Sequence, residues 1–234
     1  MDSQDPVALA AVRAIRAGDT ASLASLLSQH PGLAREHIHS TRTPLHVAAD
    51  WPGYFPAGPA IVRLLLDAGA DPNAGAATGG DRGETPLHWA ASSDDADVAD
   101  ALISGGADIE TPGGSIGTPL DNAVGYGCWN VARLLVRRGA RVDKLWHAAA
   151  LGIMERVEEL LAATPPPSPD DVTEAFWQAC HGGQRRTAER LLASGADLNG
   201  TPGYSDETAA EVAAELDTQR ENLVTWLHER QQAI

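Results

Sequence analysis

The chain has 234 residues, with 17 Lys or Arg against 32 Asp or Glu and a formal charge of −15. Affinity for phosphate backbones comes largely from Lys and Arg, so this balance argues against nucleic acid as a partner and against anionic membrane surfaces. Hydrophobic residues make up 43% but aromatics only 5%, so a core must be built from Ala, Leu and Val, which suits closely packed helices better than a β-sandwich.

The acidic start, Met1-Asp2-Ser3-Gln4-Asp5-Pro6, lacks the basic and apolar regions of a secretory signal, no stretch approaches the ~18 apolar residues of a membrane span, and two cysteines are too few for a disulfide framework. A cytoplasmic protein is expected. From the N-terminus, Val7 to Leu27 reads as a helical pair. His37-Ile38-His39, next to Glu36, reads as a short hairpin strand with two imidazoles on one face; no further ligand stands at a fixed spacing, so no metal is expected. Thr43-Pro44-Leu45-His46-Val47-Ala48-Ala49 then opens a helix: threonine accepts a backbone N–H as the cap, proline suits the first helical position, and the alanine pair permits close approach. Asp50 to Pro59 form an insert before the next helix, which runs through Leu65-Leu66 to Gly69-Ala70-Asp71. A longer finger, Gly75 to Gly83, precedes Thr85-Pro86-Leu87-His88-Trp89-Ala90-Ala91. Asp94, Asp95, Asp97 and Asp100 fall at the following helix start, where the dipole favours carboxylates; without the glycine and terminal glutamate of a calcium loop they predict a solvated helix start. That helix runs through Leu102-Ile103 to Gly106. Gly113-Gly114-Ser115-Ile116-Gly117 lacks the strand and lysine of a phosphate loop. Thr118-Pro119-Leu120-Asp121-Asn122-Ala123-Val124 and Leu135-Val136 with Gly139 form a third copy. A fifth unit, Leu145 to Leu161, has no Thr-Pro start. Thr164-Pro165-Pro166-Pro167 is a stiff connector into a capped helix start at Ser168-Pro169-Asp170-Asp171. Phe176 to Gly195 and Thr208 to Leu227 complete the chain.

The step from Thr85 to Thr118 is 33 residues, and the second apolar residue of each pair (Leu27, Leu66, Ile103, Val136, Leu161, Leu192, Leu227) recurs at steps of 39, 37, 33, 25, 31 and 35. With its T-P-L-H-x-A core, this resembles the ankyrin repeat, a β-turn and two helices over about 33 residues, in its bacterial type. The resemblance implies an all-α ankyrin-repeat solenoid with short β-turn fingers, as a single domain over residues 1–234. Seven units are expected: 5–33 as N-cap, 34–74, 75–110, 111–143, 144–165, 168–200, and 203–231 as C-cap. Gly69, Gly106, Gly139 and Gly195 sit where second helices must stop with φ > 0.

In such a stack the first helices line a concave face. The residue after the histidine slot and the one four later share a stripe: Val47/Trp51, Trp89/Ser93, Asn122/Tyr126, His147/Leu151 and Gln178/Gly182, with Asp50, Ser92, Gly125, Ala150 and His181 between them. Together with the insert aromatics, the expected binding residues are Trp51, Tyr54, Phe55, Trp89, Ser93, Asn122, Tyr126, His147, Gln178 and His181. The resemblance implies a non-enzymatic module that holds a protein or peptide in this groove and on its finger tips, without a cofactor; the acidic surface favours a basic partner. A charged seventh unit (Glu211, Glu215, Arg220, Glu221) predicts a monomer. Two readings stand beside it. The aromatics could simply cover neighbouring helices. Alternatively, an enzyme or small-molecule binder could use His147 and His181 for acid–base chemistry, with Asp50 or Asp121 as carboxylate, although no nucleophile elbow, metal signature or cofactor loop accompanies them. His46 and His88 are expected to tie helix starts to neighbouring backbone. The same slot then holds Asp121, Trp146 and Trp177, where a local kink or pocket is expected. Cys128 and Cys180 are expected to be free thiols, Cys180 buried in an alanine slot.

Overall fold

The computed structural model describes residues 5–38, 41–77, 83–214 and 221–232. His39, finger residues 78–82, and Glu215 and Arg220 of the seventh unit lie outside the described residues. The described chain forms fourteen α-helices: α1 (Pro6–Ala17), α2 (Thr20–Gln29), α3 (Pro44–Ala48), α4 (Gly58–Asp67), α5 (Pro86–Ser92), α6 (Ala96–Ser104), α7 (Pro119–Gly125), α8 (Trp129–Arg137), α9 (Leu145–Leu151), α10 (Met154–Leu161), α11 (Pro169–His181), α12 (Arg185–Ala193), α13 (Ala209–Ala214) and α14 (Glu221–Gln232). These are seven consecutive pairs, as the repeat spacing predicts. No extended strand occurs among the described residues; Ile38 and Arg42 make an isolated antiparallel bridge.

The helices gather into two compact units, Met1–Ala140 and Arg141–Ile234. In the first, α1 packs on α3, α3 on α5 and α5 on α7, while α2, α4, α6 and α8 form a second row behind them. Small side chains make the first row possible: Ala48, Ala49, Ala90, Ala91 and Ala123 are at most 1% exposed. The leucine of each motif fills the space between the rows, with Leu45, Leu87 and Leu120 at most 1% exposed. Truncating any one to alanine would cost about 2–5 kcal/mol. The second unit has the same logic with larger side chains. Phe176 is fully buried on α11, Trp177 and Trp226 are 5% and 4% exposed, and α11 contacts α9, α12 and α13. Helices α9 and α11 lie so close that a Cβ on Gly182 would sit 2.0 Å from the Ala150 carbonyl oxygen.

Local signals set the helix ends. Each Thr-Pro start places proline in the first turn after an extended threonine. Gly69, Gly106, Gly139 and Gly195 have φ of 88°, 96°, 101° and 99°. The residue after each glycine returns its N–H to the helix, as in Ala70 to Leu65 (3.0 Å) and Ala140 to Leu135 (2.9 Å).

The aspartate cluster departs from expectation. Asp95 is 2% exposed; it caps α6 through the Val98 N–H (3.1 Å) and also accepts the Tyr54 N–H (2.6 Å). Asp94 accepts the Val131 N–H (3.0 Å) and Asn130 Nδ2 (2.8 Å), so it serves the start of α8 in the next repeat. Two of the four carboxylates are therefore repeat-to-repeat ties rather than solvated charges.

Candidate functional site

The histidine slot sets the frame of the first unit. The Thr43 N–H donates to Nδ1 of His46 (3.2 Å), which fixes the hydrogen on Nε2, and Nε2 donates to the Glu84 carbonyl (2.8 Å) in the next repeat. His88 repeats this arrangement with the Thr85 N–H (3.1 Å) and the Gly117 carbonyl (3.1 Å). Burial pushes the His46 imidazole down to about 4, with His37 and Arg42 adding to the effect, while the Glu84 carbonyl and carboxylate oppose it. His88 is lowered for the same leading reason. Both histidines are therefore structural, as the motif implies. Asp121 fills the slot by accepting the Thr118 N–H (2.7 Å). In the second unit Trp177 donates its indole N–H to the Glu207 carbonyl (2.7 Å), the residue just before Thr208, so an indole does the job of an imidazole.

The insert between α3 and α4 is a strap that ties to the repeats on either side. Its first residue, Asp50, binds Arg16 (2.9 Å) and Arg42 (2.7 Å). Phe55 is half-buried beneath the Arg16 guanidinium, 5.9 Å from its ring centre. Gly53 lies against Ser93 and Asp95, and the Tyr54 hydroxyl donates to the Asp94 carbonyl. The strap thus spans three repeats and holds Trp51 and Tyr54 outward, 77% and 59% exposed. Between strap and α5 is a cavity of about 170 Å³ lined by Asp50, Trp51, Glu84, Trp89, Ser92 and Ser93.

Further along, finger residues 113–117 turn tightly (Gly114 N–H to the Gly117 carbonyl, 2.7 Å) and fold over α7. The Ile116 N–H reaches Oδ1 of Asn122 (3.3 Å), and the Ser115 hydroxyl meets that of Tyr126 (2.9 Å). Asn122 is consequently fully buried, whereas Tyr126 stays 53% exposed. Glu84 joins the finger and α7 by accepting the Ser115 N–H (2.8 Å) and Asn122 Nδ2 (3.2 Å), both on Oε1. Burial alone would raise its pKa, but the hydrogen bonds from Ser115 and Asn122 hold it below the usual value, so it is ionised.

In the second unit, His147 is 2% exposed and packs on Trp146, 4.1 Å between ring centres. Gln178 is 1% exposed, with Nε2 donating to the Tyr204 hydroxyl (2.9 Å) and Oε1 3.4 Å from His181 Nδ1. Beside Trp146 the expected pocket exists, about 390 Å³, with Pro165, Pro167, Asp171 and Glu174 on its wall.

The expected stripe is therefore divided. Trp51, Tyr54 and Tyr126 face solvent, Trp89, Phe55 and His181 are half-buried, and Ser93, Asn122, His147 and Gln178 are inside. Asp50 is held by two arginines and Asp121 by its own helix start, so the two carboxylates of the acid–base reading are engaged in structural bonds. Among the described residues no group of three or more metal-ligating side chains converges. Sequence reasoning passed over Glu84 and Tyr204. Glu84 stands just before the Thr-Pro motif, in the position of Gly117 and Glu207, and that correspondence is the signal that would have found it.

Residues 41–76 match the family model for the ankyrin repeat, and residues 59–144 match one for three copies of it. Two solved structures share the fold over nearly their whole length. The ankyrin repeat domain of Bcl-3, described as a unique member of the IkappaB protein family, is 25% identical with a TM-score of 0.56, covering 97% of this chain and all of that one. The human ASB11 ankyrin repeat domain is 21% identical with a TM-score of 0.55, covering 96% of this chain and 98% of its own. Ankyrin repeat domains are in general protein–protein interaction modules, and no described helix is long and apolar enough to cross a membrane. With its Thr-Pro-Leu-His motifs, paired helices and family matches in agreement, the chain is an ankyrin repeat protein.

Proposed function

We propose that the protein is a non-enzymatic module that holds a basic protein segment, and that in the first unit the segment lies along the strap, α5 and α7. One observation carries this reading: Trp51, Tyr54 and Tyr126 are 77%, 59% and 53% exposed, in a chain where aromatics are only 5% of residues. Tyr54 and Tyr126 are tethered by their hydroxyls, to the Asp94 carbonyl and to Ser115. Rigid, amphipathic aromatic anchors flanked by hydrogen-bonding groups are the usual energetic centres of protein interfaces. The charge of −15 favours a basic segment by steering its approach. In the second unit Tyr204, 61% exposed and bonded through its hydroxyl to Gln178, offers a contact patch of the same kind.

The test begins with the partner captured from the native host and then uses purified components. Trp51→Ala and Tyr126→Ala, both at exposed positions, should keep their thermal melts and weaken the affinity at least about tenfold, the scale of an interface anchor. Unchanged affinity in both folded variants would remove the groove assignment.

A further inference from the structure

We propose that the cavity between the strap and α5 receives the guanidinium of an arginine in the bound segment, stacked on the Trp51 indole and counter-charged by Glu84. The inference rests on the groove reading above and specifies the side chain that groove selects. It follows from which lining groups are already used. Asp50 binds Arg16 and Arg42, both through Oδ2, so this wall already orders two guanidinium groups of the chain itself. Glu84 has no such partner: its Oε1 takes the Ser115 N–H and Asn122 Nδ2, both neutral, and no ion pair reaches it among the described residues. Nearby His88 is no substitute cation, because its Nδ1 is occupied as an acceptor of the Thr85 N–H. Among the described residues, an ionised carboxylate without a counter-charge thus stands at the same cavity as an exposed indole.

The remaining inventory is weighted towards acceptors. Ser92 and Ser93 spend their hydroxyl hydrogens on backbone carbonyls, His88 for Ser92 and Ala49 or Trp89 for Ser93. Their oxygens can therefore only accept from a newcomer. Against these acceptors the lining offers two indole N–H donors, that of exposed Trp51 and the buried Nε1 of Trp89, which has no hydrogen-bond partner among the described residues. A group rich in donors, lacking acceptors, planar and positively charged fits this lining. Arginine meets all four demands. Lysine is a compact, strongly hydrated point charge that gains less from a flat aromatic face. The cavity, about 170 Å³, is of side-chain size.

The full chain would be titrated with the peptide acetyl-Gly-Ser-Ala-Arg-Ala-Ser-Gly-amide, with its lysine and citrulline versions, and with free arginine. The indole N–H signals of Trp51 and Trp89 and calorimetry provide the readouts. The arginine peptide should shift both indole signals saturably, the lysine peptide should bind several-fold more weakly, and neutral citrulline at least tenfold more weakly. Trp51→Ala, at an exposed position, and Glu84→Gln, which keeps an acceptor for Ser115 and Asn122, should each weaken the arginine peptide at least tenfold. Equal binding of citrulline, unchanged affinity in Glu84→Gln, or free arginine binding as tightly as the peptide would overturn the proposal. If the native partner needs Trp51 and Tyr126 but not Glu84, the arginine pocket fails and the groove stands. If it needs none of the three, the groove itself fails.

Discussion

Lowering the pH should loosen the first unit through His46. Its Nδ1 accepts the Thr43 N–H, so adding a proton there turns a hydrogen bond into a clash of two donors inside a fully buried site. The group has a value of 6.5 when free and about 4 when folded, lowered chiefly by burial. A histidine with a depressed folded value binds its proton in the unfolded chain first. Its stabilising contribution is therefore complete above 6.5 and is lost as the pH falls from 6.5 towards 4. From those two values the loss is about 2 kcal/mol at pH 5 and about 3 kcal/mol at pH 4. Urea unfolding of the wild type and His46→Gln, each at pH 7.5 and pH 5, isolates this effect, because carboxylate titrations common to both proteins cancel in the difference. The wild type should be the more stable at pH 7.5, and its advantage should shrink by about 2 kcal/mol at pH 5. An advantage that is the same at both pH values would refute the assignment of His46 as a neutral, structurally locked imidazole.

Four further outcomes test the packing. Trp177→Phe keeps an aromatic side chain but loses the indole N–H that donates to the Glu207 carbonyl (2.7 Å) and some buried volume, and should cost about 1–3 kcal/mol or more in chemical denaturation of the second unit. Gly182→Ala has acceptable backbone angles (φ −75°) but places its methyl 2.0 Å from the Ala150 carbonyl oxygen, so it should destabilise by about 3 kcal/mol or more, read as a lowered melting midpoint. Gly139→Ala meets no atom within 4 Å and carries only the cost of φ +101°, about 1–2 kcal/mol; a larger loss than at Gly182 would contradict the geometry. Cys128 and Cys180 are buried and burial raises both thiols, Cys128 to about 11, so a thiol reagent at pH 8 should find neither in the native protein and both in urea.

The sequence was sufficient for everything that is local and periodic. Thr-Pro starts, glycine stops and the 33-residue step predicted the paired helices, because caps and left-handed turns act within a few residues of themselves. It also assigned His46 and His88 to structure, since the motif brings Thr and His within one turn. What it could not supply was exposure along the stripe. Asn122 and Trp51 lie on the same expected stripe, two repeats apart, yet one is fully buried and the other 77% exposed. The difference lies in the connections: finger 113–117 folds over Asn122, while the strap is pinned through Tyr54 to Asp95, 41 residues away. Glu84 acquires its role the same way, by meeting His46 of one repeat and Asn122 of another. Helices follow from neighbours in sequence, but loop paths follow from hydrogen bonds between repeats, and those exist only once the repeats are stacked. The acidic charge and the scarcity of aromatics were legible from the start; which few aromatics stay exposed, and that Glu84 joins finger and helix beside them, was decided by the tertiary fold.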